Sequence, residues 1–421
     1  MSTVALTGRR RLSAGEIEMI VAAHEKFVTG RPGGKRAVLK FVDMTGVDLS
    51  GRNLSDADLS ASILDRAKLA VTNLERANLF GCDLRKADLR GARLVRADMR
   101  GACLQGANLT QADLTQADFR IGQVAIPHPS KGLSSLSHES RHGQLDHAVL
   151  CGATFDGSQM NEASAYAADF TDCSLKGAKM TGANLKDAKM SGAILDGAEV
   201  TGTNFEGADL SYAAMNGVDV ARARTSASTK LGGSIRAPST EAMSRAAGLL
   251  AQAQANHAWC KTSGKEGRPA NLDRQDLRPL GAQLRGLRLT AMSAKGAVMV
   301  GMDLTGVHLQ GANLEGADLR GAILRGADLR GARLAGANLT KADLRDCVIA
   351  PLPLGGAREA PGSLDHARVR YAQAQGADMS GVILDGADVR GCDFTGARLT
   401  GASLKETDSQ AAVGLDAARA A

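Results

Sequence analysis

Two short runs of this sequence combine residue types that acid–base chemistry uses. Leu-Asp-His-Ala occupies residues 145–148 and recurs at residues 364–367. A carboxylate beside an imidazole is a common arrangement in general acid–base catalysis, so both runs are candidates for a site. The residues concerned are Asp146 with His147 and Asp365 with His366.

The segment around the first run is rich in histidine, which suggests metal binding as an alternative function. His138 and His142 are four residues apart, and histidines with this spacing on a helix can share a metal ion. The surrounding Gly, Ser and Pro residues favour a surface loop instead. Metal binding by the loop 128–147 therefore stays an alternative, and no metal or other cofactor is expected. Its candidate ligands are His128, His138, His142, His147 and Cys151.

The rest of the chain is dominated by a five-residue period. From residue 311 it reads GANLEGADLRGAILRGADLRGARLAGANLTKADLR, with a large apolar residue at every fifth position and Ala two places before each. Residues two apart in extended chain share a face, and Gly after the Leu supplies the positive φ of a turn. Four such steps return the chain to its start, which predicts a square coil of about 20 residues with Leu and Ala inside.

The repeating unit A-[DN]-L-x-x resembles that of the pentapeptide-repeat proteins. This resemblance covers most of the chain. It implies an all-β solenoid, a right-handed quadrilateral β-helix in which each coil contacts only its neighbours. Some members of that family protect or inhibit DNA gyrase by imitating DNA, so the resemblance also implies one candidate function.

The same plan of helix, coils, loop and coils occurs twice, which predicts two tandem solenoids, each preceded by a short α-helix. Residues 13–28 form the first helix, with Ser13 and Glu16 as a capping box, and residues 239–260 form the second. Each helix carries a histidine near its end, His24 or His257. The helices are expected to cap the open ends of the solenoids.

The domain boundaries follow from the breaks in the period. The expected segments are an N-terminal segment with the capping helix at 1–43, a first solenoid at 44–220 with a loop at 120–145, a linker at 221–238, a second helix and lead-in at 239–271, a second solenoid at 272–404 with a loop at 350–366, and a tail at 405–421.

Most other polar residues of the coils have a structural interpretation. Asp precedes Leu on nearly every rung, which favours a role in turns or ladders over acid catalysis. Four cysteines occupy the small inward position usually held by Ala, where a thiol acts as a small apolar group. They are Cys82, Cys173, Cys347 and Cys392. No Gly-rich phosphate loop precedes a helix. The sequence therefore predicts neither an enzyme nor catalytic residues.

The charge and the composition limit the classes of partner that the sequence predicts. The net charge is +6, but residues 150–220 hold ten acidic and four basic residues, a local net charge of −6. DNA carries one charge per about 1.7 Å, so a segment that imitates DNA would need about eleven negative charges over these roughly four coils. The local net charge of −6 falls short of that number. Nucleic-acid binding is not expected. The seven cysteines include no C-x-x-C pair, and no segment has the apolar length of a membrane span, so a cytoplasmic protein is expected.

The leading hypothesis is a non-catalytic scaffold for protein–protein interaction. Outward aromatic side chains are few, and they are the candidate contacts with an unknown protein partner. These are Phe80, Tyr166, Tyr212 and Tyr371. Self-association and DNA gyrase are alternative partners. In register with the repeats, Asp146, His147, Asp365 and His366 stand where the coil restarts after each loop, which makes them structural loop-closing residues.

Overall fold

The five-residue period appears in the structure as ladders of short parallel β-bridges. In this computed structural model most bridges join residues that are 20 apart, as Asn53 joins Asn73 and Asp328 joins Val348. Backbone hydrogen bonds run between the same coils, for example from Leu59 N–H to the oxygen of Asn78 at 2.9 Å. Each coil is thus paired with the coil before it and the coil after it.

The structure describes residues 9–128, 132–356 and 358–420. They form two compact units, Met1–Ala237 (unit 1) and Pro238–Ala421 (unit 2). Each unit contains its own continuous apolar core. The Ala and Leu positions of the repeats fill these cores, and most of those side chains are fully buried.

The corners between steps need left-handed backbone, which explains the choice of residues there. Gly91 has φ 62°, and Lys86 adopts almost the same conformation with φ 56°. A residue with a Cβ pays roughly 1 kcal/mol at such a φ, so Gly is favoured but not obligatory. Phenylalanine takes the place of Leu at some of these inward positions, and the rings of Phe155 and Phe170 lie 5.6 Å apart.

Unit 1 begins with a strand and a helix that cover its first coil. Strand β1, Arg10–Arg11, pairs in parallel with β2, Val42–Asp43. Helix α1 spans Ala14–Val28. As the sequence predicts, Ser13 caps it, and Glu16 completes a capping box.

The first insertion is a β-hairpin and not the irregular loop that its Pro, Gly and Ser residues predict. Strand β3, Gly122–His128, pairs antiparallel with β4, Gly132–Arg141. Val124 of this hairpin is 2% exposed, because it packs against the corners at Gly81 and Gly101. Because Gly81 and Gly101 have no Cβ, the corners of the neighbouring coils leave room for a strand to lie across them.

The segment 221–238, expected to be a linker, continues the ladder of unit 1. Strand β5, Ala214–Met215, pairs in parallel with β6, Ile235–Arg236, and Asp209 bridges to Lys230. These partners are 21 residues apart, so one extra residue shifts the register. Because of that shift, the last partial coil does not follow a strict period of five in the sequence.

Unit 2 opens with helix α2, Thr240–Lys261, capped by Ser239. A short 3-10 helix, Arg278–Leu280, follows within its first coil.

The second insertion and the end of unit 2 also contain regular structure. Strands β7, Leu352–Pro353, and β8, Glu359–Ala360, pair antiparallel within the segment predicted as a loop. The expected tail continues the ladder, because Asp393 bridges to Val413. Helix α3, Leu415–Ala420, follows, and its Ala418 is buried.

Unit 2 should fold by itself, because its core and ladders lie within Pro238–Ala421. A fragment of residues 238–421 should give a β-rich circular dichroism spectrum and a cooperative thermal transition. Full-length protein is the reference for both measurements. An unfolded fragment would show that unit 2 depends on unit 1.

The packing of the hairpin predicts different effects for two glycines with the same backbone conformation. Gly101 and Gly106 have φ 65° and 66°. A Cβ at Gly101 would lie 2.7 Å from a Val124 methyl group, whereas at Gly106 it would meet only Lys86 Cγ at 3.7 Å. Gly106→Ala should therefore cost about 1 kcal/mol of unfolding free energy. Gly101→Ala should cost about 1–3 kcal/mol more through overpacking.

Urea denaturation of both variants and the wild type measures this difference. Equal losses in the two variants would mean that the hairpin does not pack on this corner.

Candidate interaction surface

Aspartates that precede the large apolar residue of a repeat are held in a recurring contact with arginine, which we call the Asp–Arg clasp. In the clasp of Asp98, the carboxylate accepts the backbone N–H of Arg100 at 3.2 Å. The Arg100 guanidinium also donates to both carboxylate oxygens, at 2.9 and 2.8 Å. The same arrangement occurs in Asp83–Arg85, Asp88–Arg90, Asp118–Arg120, Asp276–Arg278, Asp318–Arg320, Asp328–Arg330, Asp343–Arg345 and Asp388–Arg390.

In the clasp of Asp88 these contacts favour the ionised carboxylate, which is the wrong state for a general acid. Hydrogen bonds from Arg90 hold the pKa of Asp88 below its ordinary value. A general acid must keep its proton near neutral pH, which requires a raised pKa. The clasps therefore shape the turns of the coil, in line with the structural interpretation of the repeated Asp.

At the two Leu-Asp-His-Ala runs, both histidines occupy left-handed corners. The φ angles of His147 and His366 are 57° and 51°. Asp146 accepts hydrogen bonds from the Ser164 hydroxyl at 2.6 Å and from the backbone N–H of Tyr166 at 2.9 Å, so it joins the restarted coil to the next one.

The run at 364–367 is arranged differently. A carboxylate oxygen of Asp365 lies 3.9 Å from Nε2 of His366. A Cβ on Gly386 would lie 2.3 Å from the His366 ring, so the corner of the next coil has space only for Gly. The two Asp-His pairs thus share a position in the coil and do not share a contact network.

The histidines of the first insertion are spread along extended chain. His138 lies in β4 opposite Ala125, and His142 Nδ1 is 3.9 Å from a carboxylate oxygen of Glu162. Residues four apart in extended chain are about 13 Å apart, too far to share a metal ion. Among the described residues, no three His, Cys, Asp or Glu side chains are grouped so as to hold one. The side chain of His128 lies outside the described part of the chain.

All seven cysteines are free thiols, and the described contacts give them no reactive character. Burial raises the pKa of Cys82 and of Cys347 to about 12. Burial, with Asp169 nearby, raises that of Cys151 to about 12 as well. A thiol that stays protonated at neutral pH is a poor nucleophile and a poor metal ligand.

The four aromatic candidates differ in exposure. Tyr212 is 62% exposed and Tyr166 is 37% exposed, with its ring edge-on to His147 at 5.4 Å. Phe80 is half-buried below the Arg100 guanidinium, 5.4 Å from the ring centre. Tyr371 is half-buried, and its ring centre lies 5.9 Å from Lys341 Nζ.

Each helix is anchored to its first coil by a buried polar side chain that bonds to two backbone groups. In unit 1, His24 Nδ1 accepts the N–H of Ala37 at 3.0 Å, so Nε2 carries the proton and donates to the Ser55 oxygen at 2.9 Å. His24 is fully buried.

In unit 2, Asn256 takes the same role. It accepts the N–H of Ala270 at 3.0 Å and donates to the Thr290 oxygen at 3.1 Å. His257, which the sequence matches with His24, accepts the N–H of Arg288 at 2.9 Å. The only sequence signal for Asn256 is its distance from Ala270, which resembles that from His24 to Ala37.

Comparison with known families gives a match along all four runs of coils. The model described as pentapeptide repeats matches eight times, and the matched segments together cover more than half of the chain. The chain belongs to the pentapeptide-repeat family. Its members fold as right-handed quadrilateral β-helices. The matched residues are 43–79, 53–91, 77–116, 144–182, 183–220, 282–321, 312–349 and 363–408.

Several solved pentapeptide-repeat structures are similar to this pentapeptide-repeat protein. HetL from the cyanobacterium Nostoc sp. strain PCC 7120, involved in heterocyst differentiation regulation, is 19% identical over 94% of each chain, with a TM-score of 0.18. QnrB1, a plasmid-mediated fluoroquinolone resistance protein, is 16% identical over 47% of this chain and 83% of its own, with a TM-score of 0.19.

A third similar structure is a pentapeptide-repeat protein of the Arabidopsis thaliana thylakoid lumen. It is 26% identical over 29% of this chain and 68% of its own, with a TM-score of 0.11. TM-scores this low carry no argument about function. No curated protein matches the sequence. Within the described ranges, no helix has the length and apolar character needed to span a bilayer.

The buried His24 predicts that the stability of unit 1 depends on pH. Burial lowers the pKa of His24, although its hydrogen bond to Ser55 acts in the opposite direction. A lowered pKa in the folded state means that stability is complete above the unfolded value of about 6.5 and decreases as the pH falls below it. Scanning calorimetry at about pH 7.5 and about pH 5.5 measures that decrease.

His24→Asn should shrink this decrease, because Asn offers the same kinds of hydrogen bond without titrating. The matched control is His142→Asn, since His142 is exposed and its replacement should leave the decrease unchanged. A His24→Asn protein with the full pH-dependent loss would show that His24 is not the titrating group.

Proposed function

We propose that this pentapeptide-repeat protein is a non-catalytic scaffold, built as two tandem copies of helix and solenoid, that binds a protein partner through its coil corners. One observation carries the proposal: many coil carboxylates are engaged in clasps and turn hydrogen bonds, as in Asp98 with Arg100. The corner side chains are therefore what the coils present to a partner.

Tyr166 and Tyr212 are the strongest contact candidates of the four aromatics. Both are exposed, and tyrosine supplies a large contact area at a low cost in side-chain entropy. Phe80 and Tyr371 remain candidates, although their rings already contact Arg100 and Lys341. All four positions can be tested by truncation to Ala.

Charge favours the scaffold over DNA mimicry. The segment 150–220 has a net charge of −6. Its lysines lie among the acids, as Lys189 Nζ lies 3.7 Å from a carboxylate oxygen of Asp169. Such pairs interrupt the continuous negative potential that a DNA duplex presents. Modulation of DNA gyrase is therefore an outcome of the test below and is not the main proposal.

Affinity capture from native cell lysate tests the scaffold. The full-length wild type should recover at least one specific protein. The double variant Tyr166→Ala, Tyr212→Ala should recover about tenfold less of it, as expected for loss of aromatic contacts at an interface. The control is Val71→Ala, since Val71 is 70% exposed and lies in another part of unit 1.

Two results would contradict the proposal. One is the absence of any specifically captured protein. The other is modulation of gyrase in a supercoiling assay at micromolar protein, which would replace a general scaffold by a gyrase-directed function.

A further inference from the structure

The first coil of unit 1 has an edge that the capping elements cover only in part. Strand β1 pairs with the coil at Val42 and Asp43. Glu25 of α1 accepts the N–H of Asn53 at 3.2 Å, and His24 accepts that of Ala37. One face of the coil, centred on Val38, has no such cover among the described residues.

Among the residues that the structure describes, Val38 therefore lies on an unpaired strand edge. It bridges to Asp58 in the second coil through hydrogen bonds of its neighbours, since Asp58 N–H donates to the oxygen of Ala37 and Leu39 N–H donates to the oxygen of Asp58. In a parallel ladder the N–H and C=O of Val38 itself then face the opposite side, where a preceding strand would lie. No described residue hydrogen-bonds to either group.

An apolar groove lies along this edge. It has a volume of about 640 Å³ and lies between α1 and residues 35–42. Val38 is 58% exposed and Met19, on α1, is 68% exposed. Leu12, Ile20 and Phe41 complete its apolar lining. The edge thus offers a backbone donor and acceptor beside a site for apolar side chains.

Basic side chains outnumber acidic ones along this groove: Lys35, Arg36 and Lys40 line it, and the acidic Glu16 in its lining pairs with Arg10 at 2.9 Å. Arg31 lies in the turn that joins α1 to the first coil. Residues 26–42 contain five basic residues and no acidic ones. Lys40 Nζ pairs with Asp58 at 3.0 Å, and Arg36 donates to the backbone oxygen of Asp56 at 2.6 Å. The side chains of Arg31 and Lys35 are exposed, and no described carboxylate pairs with them. These two charges are available to a ligand.

The corresponding edge of unit 2 has a different chemistry. Asn271 follows the anchored Ala270 as Val38 follows Ala37, and it is an exposed polar residue. The groove beside it is lined by Ala251, Gln252 and Ala255 among others, without large apolar side chains. Unit 2 therefore serves as an internal comparison for unit 1.

We propose that the Val38 edge binds an extended segment of a partner protein that alternates acidic and apolar residues. The segment adds as a further strand to the first coil, with its backbone paired to Val38, its apolar side chains in the groove, and its carboxylates near Arg31 and Lys35. This inference rests on the proposed scaffold function and specifies the chemistry of the partner. An anionic membrane would meet the same charges but would leave the Val38 backbone groups unpaired.

A labelled peptide tests this edge on full-length protein. The probe is fluorescein-Glu-Val-Asp-Ile-Glu-Val-Asp, and fluorescence anisotropy should rise to saturation. Val38→Asn, which copies the residue of unit 2, should weaken binding about tenfold through loss of apolar burial. The double variant Arg31→Glu, Lys35→Glu should also weaken it about tenfold and reduce its dependence on salt. Lys265→Glu, in the lead-in to unit 2, is the matched charge control and should bind normally.

Hydrogen exchange followed by mass spectrometry adds a readout that charge alone would not produce. The backbone segment that contains Val38 should become protected when the peptide binds, while the segment that contains Asn271 should not change. Circular dichroism and thermal melting identify any variant that fails to fold. The exposed position of Val38 makes misfolding of Val38→Asn unexpected.

Several outcomes would overturn the inference. They are the absence of saturable binding, binding unchanged in Val38→Asn, no protection at Val38, or binding of phosphatidylserine vesicles in place of the peptide. If captured partners persist after any of these results, the scaffold proposal survives and only the Val38 edge is wrong. If no partner is captured but the peptide binds as expected, the Val38 edge binds extended peptides and the proposed scaffold function is wrong.

Discussion

Backbone hydrogen bonds between successive coils are the interaction on which the rest of this structure depends. Each coil hydrogen-bonds through its backbone to the coil before it, so a coil in the middle of a unit has the backbone groups of both edges paired. The first and last coils lack a neighbour, and an unpaired edge is a site for further strand pairing. The capping elements, the anchoring side chains and the open Val38 edge all follow from this single constraint.

The two units satisfy that constraint with different side chains in similar positions. A buried imidazole, His24, and a buried amide, Asn256, each bond to one backbone N–H and one backbone oxygen of the first coil. Both are suited to the task because each presents one donor and one acceptor. The choice affects how stability responds to pH, because only the imidazole can gain a proton in the range from weakly acidic to neutral pH.

The side chains at the corners of the coils vary more along this protein than those on the faces. The faces repeat the ladder, and the Asp–Arg clasps occupy many turns in both units. Exposed large side chains occur on the first coil, as at Val38, and at turns within the runs of coils, as at Val71 and Tyr212.

Much of the architecture was predictable because the period of five and the caps are local. Ser13 and Ser239 mark the starts of α1 and α2, and the Ala and Leu positions define the core. The expected linker was wrong because a one-residue shift, as between Asp209 and Lys230, breaks the period without breaking the ladder. The expected tail was wrong because its ladder continues although Ser409 and Gly414 stand at the positions of the large apolar residue. The hairpin was missed because Pro, Gly and Ser are also common in loops.

The sequence by itself determined the coil, its core and the identity of its capping helices, since each depends on residues within a few positions of one another. Only the tertiary structure decided that Asn256 and not His257 corresponds to His24. It also decided that Val38 lies, among the described residues, on an unpaired edge beside an apolar groove. Those facts depend on stacking, which brings together residues such as His24 and Ser55 that are far apart in the chain. No local sequence pattern indicates which edge of a coil lacks a neighbouring strand.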